Sequence, residues 1–225
     1  MKEIRAVFFD FDGVFADTLP DHLAAWRQVL HESYGVPFDP MVVKLNEGRP
    51  VIEIARAVTE SCGLKLDEDR LEALIRAKNE RFRGLHRPRL FPEILQIIAA
   101  AKERGIAVGL VTGTKRENLV AVVDAEVLGQ LDVIIADGDT ARGKPWPDPY
   151  LEAAGRLGVP PAACLVVENA PQGIRAAKAA GMFCVAVMTT LKEEHLQEAD
   201  VTVPTHADLL RWFRRSAVET TDAKP

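Results

Sequence analysis

Two acidic residues stand two positions apart where the first apolar run of the chain ends, in Phe8-Phe9-Asp10-Phe11-Asp12-Gly13-Val14. Later apolar runs end at Thr112, at Asp137, and at Glu168 and Asn169, and Lys144 lies in the loop beyond Asp137. In an open parallel sheet, ligands bind beyond the carboxyl ends of the strands, so these residues can converge on one rim. The types suit phosphoryl transfer. A phosphate dianion repels a carboxylate nucleophile, which calls for a divalent cation, and oxygen ligands suit Mg²⁺. Thr112 and Lys144 can donate to phosphoryl oxygens, over which charge is spread in the transition state. Asp10 would attack phosphorus and form an aspartyl phosphate. Asp12 would protonate the leaving oxygen and later take a proton from the attacking water.

Plainer readings exist for each residue. Asp-x-Asp is common in loops, and its place directly behind an apolar strand, with a glycine to turn the chain, is what points to chemistry. Thr112 could be a helix N-cap or a loop hydroxyl, with Thr114 in competition, and Asn169 could cap the helix that Pro171 begins. The stretch Gly138-Asp139-Thr140-Ala141-Arg142-Gly143-Lys144 has the spacing of a P-loop. Pro145 stands where that motif needs Ser or Thr, however, and Pro145 and Pro147 favour an extended loop over an immediate helix. Lys144 reads better as a phosphate-binding lysine in a rigid loop.

The elements that would carry these residues are legible in the hydropathy. Apolar runs at 4–9, 106–111, 133–136, 164–167, 183–188 and 201–203 alternate with helix-like segments, which suits parallel strands covered on both faces. Gly105, Gly158 and Gly181 stand at expected helix ends. The rhythm breaks once, between the first two runs, where 20–33, 51–62 and 67–82 show apolar residues at helical spacing. The expected fold is therefore α/β, a Rossmann-like doubly wound parallel sheet with an inserted α-helical cap. Residues 1–14 and 88–213 form the core, 15–87 the cap, and 214–225 a polar C-terminal tail that frays.

The 225 residues are 48% hydrophobic and 27% charged, enough for a core and a smaller accessory domain. A net charge of −5 offers no general attraction for nucleic acid or an anionic membrane surface, which puts small substrates first. Cys62, Cys164 and Cys184 are odd in number and lack CxxC spacing, so they read as reduced thiols and favour the cytoplasm. The first ten residues resemble neither a signal peptide nor a membrane span, and no later stretch is apolar for long enough to cross a bilayer.

With Asp10-Phe-Asp12-Gly-Val, Thr112, Gly143-Lys144-Pro145 and Glu168-Asn169 in this order, the chain resembles the haloacid dehalogenase superfamily, and within it the β-phosphoglucomutase-like phosphatases. The resemblance spans nearly the whole chain, including the place of the cap insertion. It implies Asp10 as nucleophile, Asp12 as general acid and base, and Mg²⁺ held by Asp10, the backbone carbonyl of Asp12 and Asn169. Many relatives carry Asp where Asn169 stands. The amide can still ligate Mg²⁺ but removes a negative charge, and Glu168 then becomes the outer or water-mediated metal partner.

In the cap, Asp17-Thr18 with His22 and Trp26, and Lys78-Asn79, resemble β-phosphoglucomutase segments, whereas Glu47-Gly48-Arg49 resembles a hydrolytic branch that includes sugar phosphatases and an inorganic pyrophosphatase. His22 and Lys78 could meet a phosphate or leaving group on cap closure, Arg49 could grip a second anion, and Glu47 could orient water or touch the metal. Equally, Lys78 and Arg49 could be solvated helix charges, His22 a packing residue and Glu47 a surface acid. Trp26 reads as core. His31, His86, His195 and His206 have no metal-ligand spacing and receive no role.

The leading expectation is an Mg²⁺-dependent phosphatase for a small phosphorylated metabolite of the sugar phosphate or pyrophosphate class, with a β-phosphoglucomutase-type sugar phosphomutase as the alternative. A phosphoacceptor switch domain also combines a strand-end Asp with Thr and Lys, but a large cap makes little sense there. A non-catalytic metabolite binder is the remaining reading, and Asn169 lends it some weight.

Overall fold

A computed structural model describes residues 3–85 and 89–218. Among them, β1 (Ala6–Phe9), β2 (Ala107–Val111), β3 (Val133–Ile135), β4 (Cys164–Glu168), β5 (Phe183–Val187) and β6 (Val201–Val203) form one sheet in the order β3-β2-β1-β4-β5-β6. Every pairing is parallel. The order reverses between β1 and β4, which are direct neighbours, and their carboxyl ends carry the acids singled out above.

Both faces of the strands are apolar because both are covered. Val7 and Phe9 of β1, Leu165 and Val167 of β4, and Val185 and Val187 of β5 pack with Ile94, Ile97 and Ile98 of α5 (Pro92–Glu103) and Leu209 and Phe213 of α10 (His206–Val218). The alternate residues, Ala6, Phe8, Cys164, Val166, Cys184 and Ala186, pack with Tyr150 and Ala153 of α8 (Asp148–Leu157) and Ile174 and Ala177 of α9 (Pro171–Ala179). The short helices α6 (Arg116–Val122) and α7 (Ala125–Leu128) bridge β2 and β3. Gly105, Gly158 and Gly181 have φ of 68°, 64° and 75°, the left-handed geometry expected at helix ends.

The inserted segment has its own apolar cluster. Helices α1 (Leu19–Tyr34), α2 (Pro40–Asn46), α3 (Val51–Ser61) and α4 (Glu68–Leu85) bury Trp26, Leu30, Val43, Val58, Leu71 and Leu74 together. The sequence predicted three of these helices and missed α2. That helix is only seven residues long, is started by the Asp39 carboxylate accepting from the Met41 N–H at 2.9 Å, and buries Val43 alone, so it has no periodicity to read. Two linker stretches join this cap to the sheet side by side: the Asp17 N–H donates to the Arg89 carbonyl at 2.8 Å, and the Phe91 N–H to the Phe15 carbonyl at 3.2 Å. His206 Nε2 donates to the Val14 carbonyl at 2.8 Å while its ring stacks on Phe91 at 3.7 Å, which clamps the crossing.

Two expectations change. Glu168 is the last residue of β4 rather than the first of the following loop, because it still pairs with Ala186. The expected tail does not begin at Arg214: α10 continues to Val218, with Phe213 buried and Arg214 and Arg215 exposed, and Arg214 reaches Gln96 Oε1 at 3.4 Å. Residues 219–225, His86 and the expected cap boundary at 87 lie outside the described residues. No helix among the described residues is long and apolar enough to cross a membrane.

Gly109 of β2 has no room for a side chain, since a Cβ would fall 2.6 Å from Val133 Cγ1 and 2.8 Å from Phe8 Cδ1. Gly109→Ala is therefore expected to lower stability by about 1–3 kcal/mol in urea denaturation through overpacking. Unchanged stability would show that the sheet yields at this point.

Candidate active site

Asp10 follows β1 and is 2% exposed. Lys144, in the loop between β3 and α8, is also 2% exposed and places its Nζ 2.6 Å from Asp10 Oδ1, 2.6 Å from Glu168 Oε1 and 3.0 Å from the Val111 carbonyl. All three ammonium protons are thus directed at acceptors. Glu168 Oε1 accepts a further bond from the Tyr150 hydroxyl at 2.7 Å, and Oε2 accepts from the Asn169 N–H at 3.1 Å. Burial disfavours a charged lysine, but the carboxylates of Asp10 and Glu168 outweigh it and hold Lys144 protonated. Burial pushes Asp10 up to about 8 against the pull of Lys144, with the charges of Glu168 and Asp12 adding to the rise. A cation beside Asp10 would return it to the ionised form.

Asp12 is in the opposite condition. Its Oδ1 accepts from the Thr18 hydroxyl and from His22 Nε2 at 3.2 Å, and its Oδ2 from the Thr114 hydroxyl at 3.0 Å. Burial works against ionisation, yet the hydrogen bonds from His22, Thr18 and Thr114 bring the carboxyl down to about 2. With His22 Nε2 donating to Asp12, Nδ1 of a neutral ring is the acceptor for Lys78 Nζ, 2.6 Å away. The imidazole stacks on Phe82 at 4.0 Å, and Lys78, 4% exposed, lies 5.1 Å from the same ring. Burial lowers Lys78 from 10.5 to about 8, against the opposing charge of Asp12.

Glu47 and Asn169 meet across the join of cap and core. Asn169 Nδ2 donates to Glu47 Oε2 at 3.3 Å and to Thr190 Oγ1 at 3.1 Å. Burial and the charges of Asp12, Asp10 and Glu168 push the Glu47 carboxyl well above the usual range. Asn169 Oδ1 and Glu47 Oε1 are buried without a hydrogen-bond partner. Among the described residues, no group of three or more His, Cys, Asp and Glu side chains is disposed to hold a metal. The expected donors, however, are a carboxylate, a backbone carbonyl and an amide, and the orphaned amide oxygen, at the end of the strand that pairs with β1, fits a hard cation such as Mg²⁺.

The segment after α2 seats on the core through bare backbone. A Cβ on Gly48 would lie 3.0 Å from Lys144 Cδ, one on Gly113 2.8 Å from the Gly48 and Arg49 carbonyls, and one on Gly143 2.8 Å from Pro50 Cγ. Gln172 Nε2 adds a bond to the Leu45 carbonyl at 3.1 Å. A small cleft beside this seat is lined by Gly48, Thr112, Asp137, Gly143 and Lys144, among others.

Of the residues predicted from sequence, the fold brings Asp10, Lys144 and Glu168 into contact, likewise Asp12, His22 and Lys78, and likewise Glu47 and Asn169. Thr112 lines the cleft with its Oγ1 accepting from the Thr114 N–H at 3.0 Å. The Arg49 guanidinium pairs with Glu53 of α3 at 3.6 Å, and its Nε is buried without a hydrogen-bond partner. Glu168, expected near the metal, has its oxygens engaged by Lys144, Tyr150 and Asn169. Sequence reasoning missed Thr18, Tyr150 and Thr190. Thr18 lay in a segment already singled out, whereas Tyr150 and Thr190 gave no local signal.

The sequence model of haloacid dehalogenase-like hydrolases matches residues 4–181. A fructose-1-phosphate phosphatase of Escherichia coli is 35% identical over 189 residues, 83% of this chain and 97% of its own. Validoxylamine A 7′-phosphate phosphatase of Streptomyces hygroscopicus is 32% identical over 210 residues, 92% of this chain and 96% of its own. The crystal structure of β-phosphoglucomutase from Clostridium difficile superposes with a TM-score of 0.82 at 26% identity, covering 97% of this chain and 99% of that one.

Tyr150→Phe keeps the ring and removes a donor to a buried carboxylate. The expected loss is about 1.5–3 kcal/mol in denaturant unfolding, and wild-type stability would mean that the hydroxyl is dispensable. For Lys78, the folded protein has released a proton between about 8 and 10.5 that the unfolded chain still holds. The cost of the buried ammonium is therefore complete below 8 and relieved as pH rises. Wild type should gain stability relative to Lys78→Met across that window, and a flat difference would contradict the burial argument.

Proposed function

The chain belongs to the haloacid dehalogenase-like hydrolase family, and from this premise we propose that it is an Mg²⁺-dependent phosphatase for a small sugar phosphate or related metabolite, acting through an aspartyl phosphate on Asp10. The observation that carries this reading is the contrast between neighbouring acids: Asp10 faces the buried Lys144 ammonium, while Asp12 is held by hydroxyls and an imidazole. Such a split environment assigns two carboxylates to two tasks. Asp10, Asp12 through its backbone carbonyl, and Asn169 would hold the cation, with Glu168 outside them. When bound, the cation neutralises phosphate charge and allows an anionic nucleophile to approach.

Asp10 attacks phosphorus, and the bond to the leaving oxygen breaks. Thr112 donates to a phosphoryl oxygen, Lys144 supplies a fixed positive charge beside the phosphoryl group, and Glu168, itself held by Tyr150, keeps Lys144 in place. Asp12 delivers a proton to the leaving oxygen, then takes one from the water that attacks the aspartyl phosphate. Ionised at about 2, it is already in the base form for the second half, and it must acquire a proton before the first. His22 is placed to pass its Nε2 proton to Asp12 while Nδ1 takes one from the Lys78 ammonium, so that the ring stays neutral and Lys78 ends as the amine. Glu47 and Arg49 flank the glycine that seats against Lys144, which supports a role for this segment in closing the site over substrate. The apolar cluster of α1–α4, apart from those of the sheet, supports an inserted cap between 15 and 87, although Phe15 and Ala16 pack with the sheet, so the cap's own packing begins at Leu19.

The sugar phosphate class draws support from the fructose-1-phosphate phosphatase relative. The likeness to a β-phosphoglucomutase keeps phosphate return to the sugar as the second reading. A phosphate-release screen over sugar phosphates, phosphoglycolate, nucleotides and pyrophosphate, with β-glucose 1-phosphate plus a bisphosphate primer, separates them. Steady Mg²⁺-dependent phosphate release is expected, and isomerised sugar without it would favour the mutase. Asp10→Asn should lower turnover by at least about 10³-fold with the fold unchanged by circular dichroism. Wild-type turnover in that variant would overturn the mechanism.

A further inference from the structure

An amide has two unlike ends, so an asparagine that is to ligate a cation must be held with its oxygen forward. Asn169 follows β4 with no exposure, and its Oδ1 has no hydrogen-bond partner among the described residues. Its Nδ2 donates to Thr190 Oγ1 at 3.1 Å and to Glu47 Oε2 at 3.3 Å. Glu47 comes from the inserted segment, whereas Thr190, in the loop after β5, belongs to the same core as Asn169. The Thr190 hydroxyl also donates to the main-chain carbonyl of Asn169 at 3.4 Å. A hydroxyl carries one proton, and with that proton directed at the carbonyl it faces the side-chain amide with lone pairs alone. The end of the amide that can meet them is the NH₂ group. Turned end for end, the amide would set Oδ1 against those lone pairs and present N–H bonds where the orphaned oxygen now stands.

The surroundings leave little slack. A Cβ on Gly13 would fall 2.4 Å from Asn169 Nδ2 and 2.9 Å from Thr190 Cγ2, so amide and threonine close together over bare backbone. The neighbouring Thr189 hydroxyl donates to the Gly13 carbonyl at 2.6 Å. One loop therefore grips both stretches that carry the expected ligands, the turn after Asp12 and the Asn169 side chain.

We propose that Thr190 is a positioning residue for the cation site: its hydroxyl, oriented by the main-chain carbonyl of Asn169, selects the amide orientation that presents Oδ1 to the ion and rejects the one that presents Nδ2. The inference rests on the Mg²⁺-dependent reading above and adds a requirement peculiar to an amide. A carboxylate in the same place has oxygen at both ends and needs no such selection. The dependence on Thr190 is thus tied to Asn169, and it holds in the core whatever the position of the inserted helices.

The test uses Mn²⁺ as a paramagnetic stand-in for Mg²⁺. Binding is measured by electron paramagnetic resonance without substrate, for wild type, Thr190→Val, Thr190→Ser, Asn169→Asp and the double variant Thr190→Val/Asn169→Asp. Thr190→Val, which keeps the shape and removes the hydroxyl, is expected to weaken Mn²⁺ binding about tenfold or more. Thr190→Ser, which restores the hydroxyl, is expected to bind as wild type does. In the Asn169→Asp background the same Thr190→Val change is expected to cost about threefold or less, so that the two positions are coupled. Binding by the double variant shows that Thr190→Val does not act by misfolding. No loss in Thr190→Val, an equal loss with and without Asn169→Asp, or a loss in Thr190→Ser as large as in Thr190→Val overturns the positioning role and leaves the phosphatase reading intact. Failure of wild type to bind Mn²⁺ at all overturns both.

Discussion

A lysine ammonium without access to water, 2.6 Å from each of two carboxylates, is the constraint on which the site depends. Lys144 reaches the ends of β1, β2 and β4 at once, through Asp10, the Val111 carbonyl and Glu168. Removing one member of such a buried group strands the others and typically costs about 3–5 kcal/mol. The sheet must therefore be fully assembled before the charges balance. The same arrangement fixes a positive charge next to the nucleophile before any substrate arrives, so no reorganisation is needed when charge develops on phosphorus.

Around that anchor, the environment drives two neighbouring acids apart, Asp10 up to about 8 and Asp12 down to about 2. The core supplies the first condition. The second depends mostly on Thr18 and His22, which belong to the inserted helices, with Thr114 the one core contributor. Proton handling is thus shared between two bodies that meet at the rim, and a displaced cap would leave Asp12 a different acid.

The strands and the core acids were legible because their signals are local. An apolar run followed by Asp-x-Asp-Gly, or by Glu-Asn-Ala-Pro, states both the strand and what stands at its end. Lys144 was recognisable from the prolines around it. Partnerships between distant segments were not legible: nothing near Tyr150 announces Glu168, and nothing near Thr190 announces Asn169. Helix α2 was too short for a period, and the charged run at Arg214 looked like a tail because its apolar partners, Leu209 and Phe213, precede it. His206 received no role from its spacing, yet it clamps the linker crossing, a contact only the third dimension reveals.

The separation of apolar clusters has an evolutionary side. Trp26, Leu30, Val58 and Leu74 are sealed among the inserted helices, whereas the sheet buries its own residues against α5, α8, α9 and α10. Swinging the insert about the linker crossing disturbs polar rim contacts, three backbone seats and the packing of Met41 and Leu45 on the sheet side, but the main apolar cluster of the insert moves intact. Mutations that reshape the lid's recognition surface away from Met41 and Leu45 are thus insulated from the stability of the chemical machinery, and preference for one metabolite over another can drift while the reaction stays fixed.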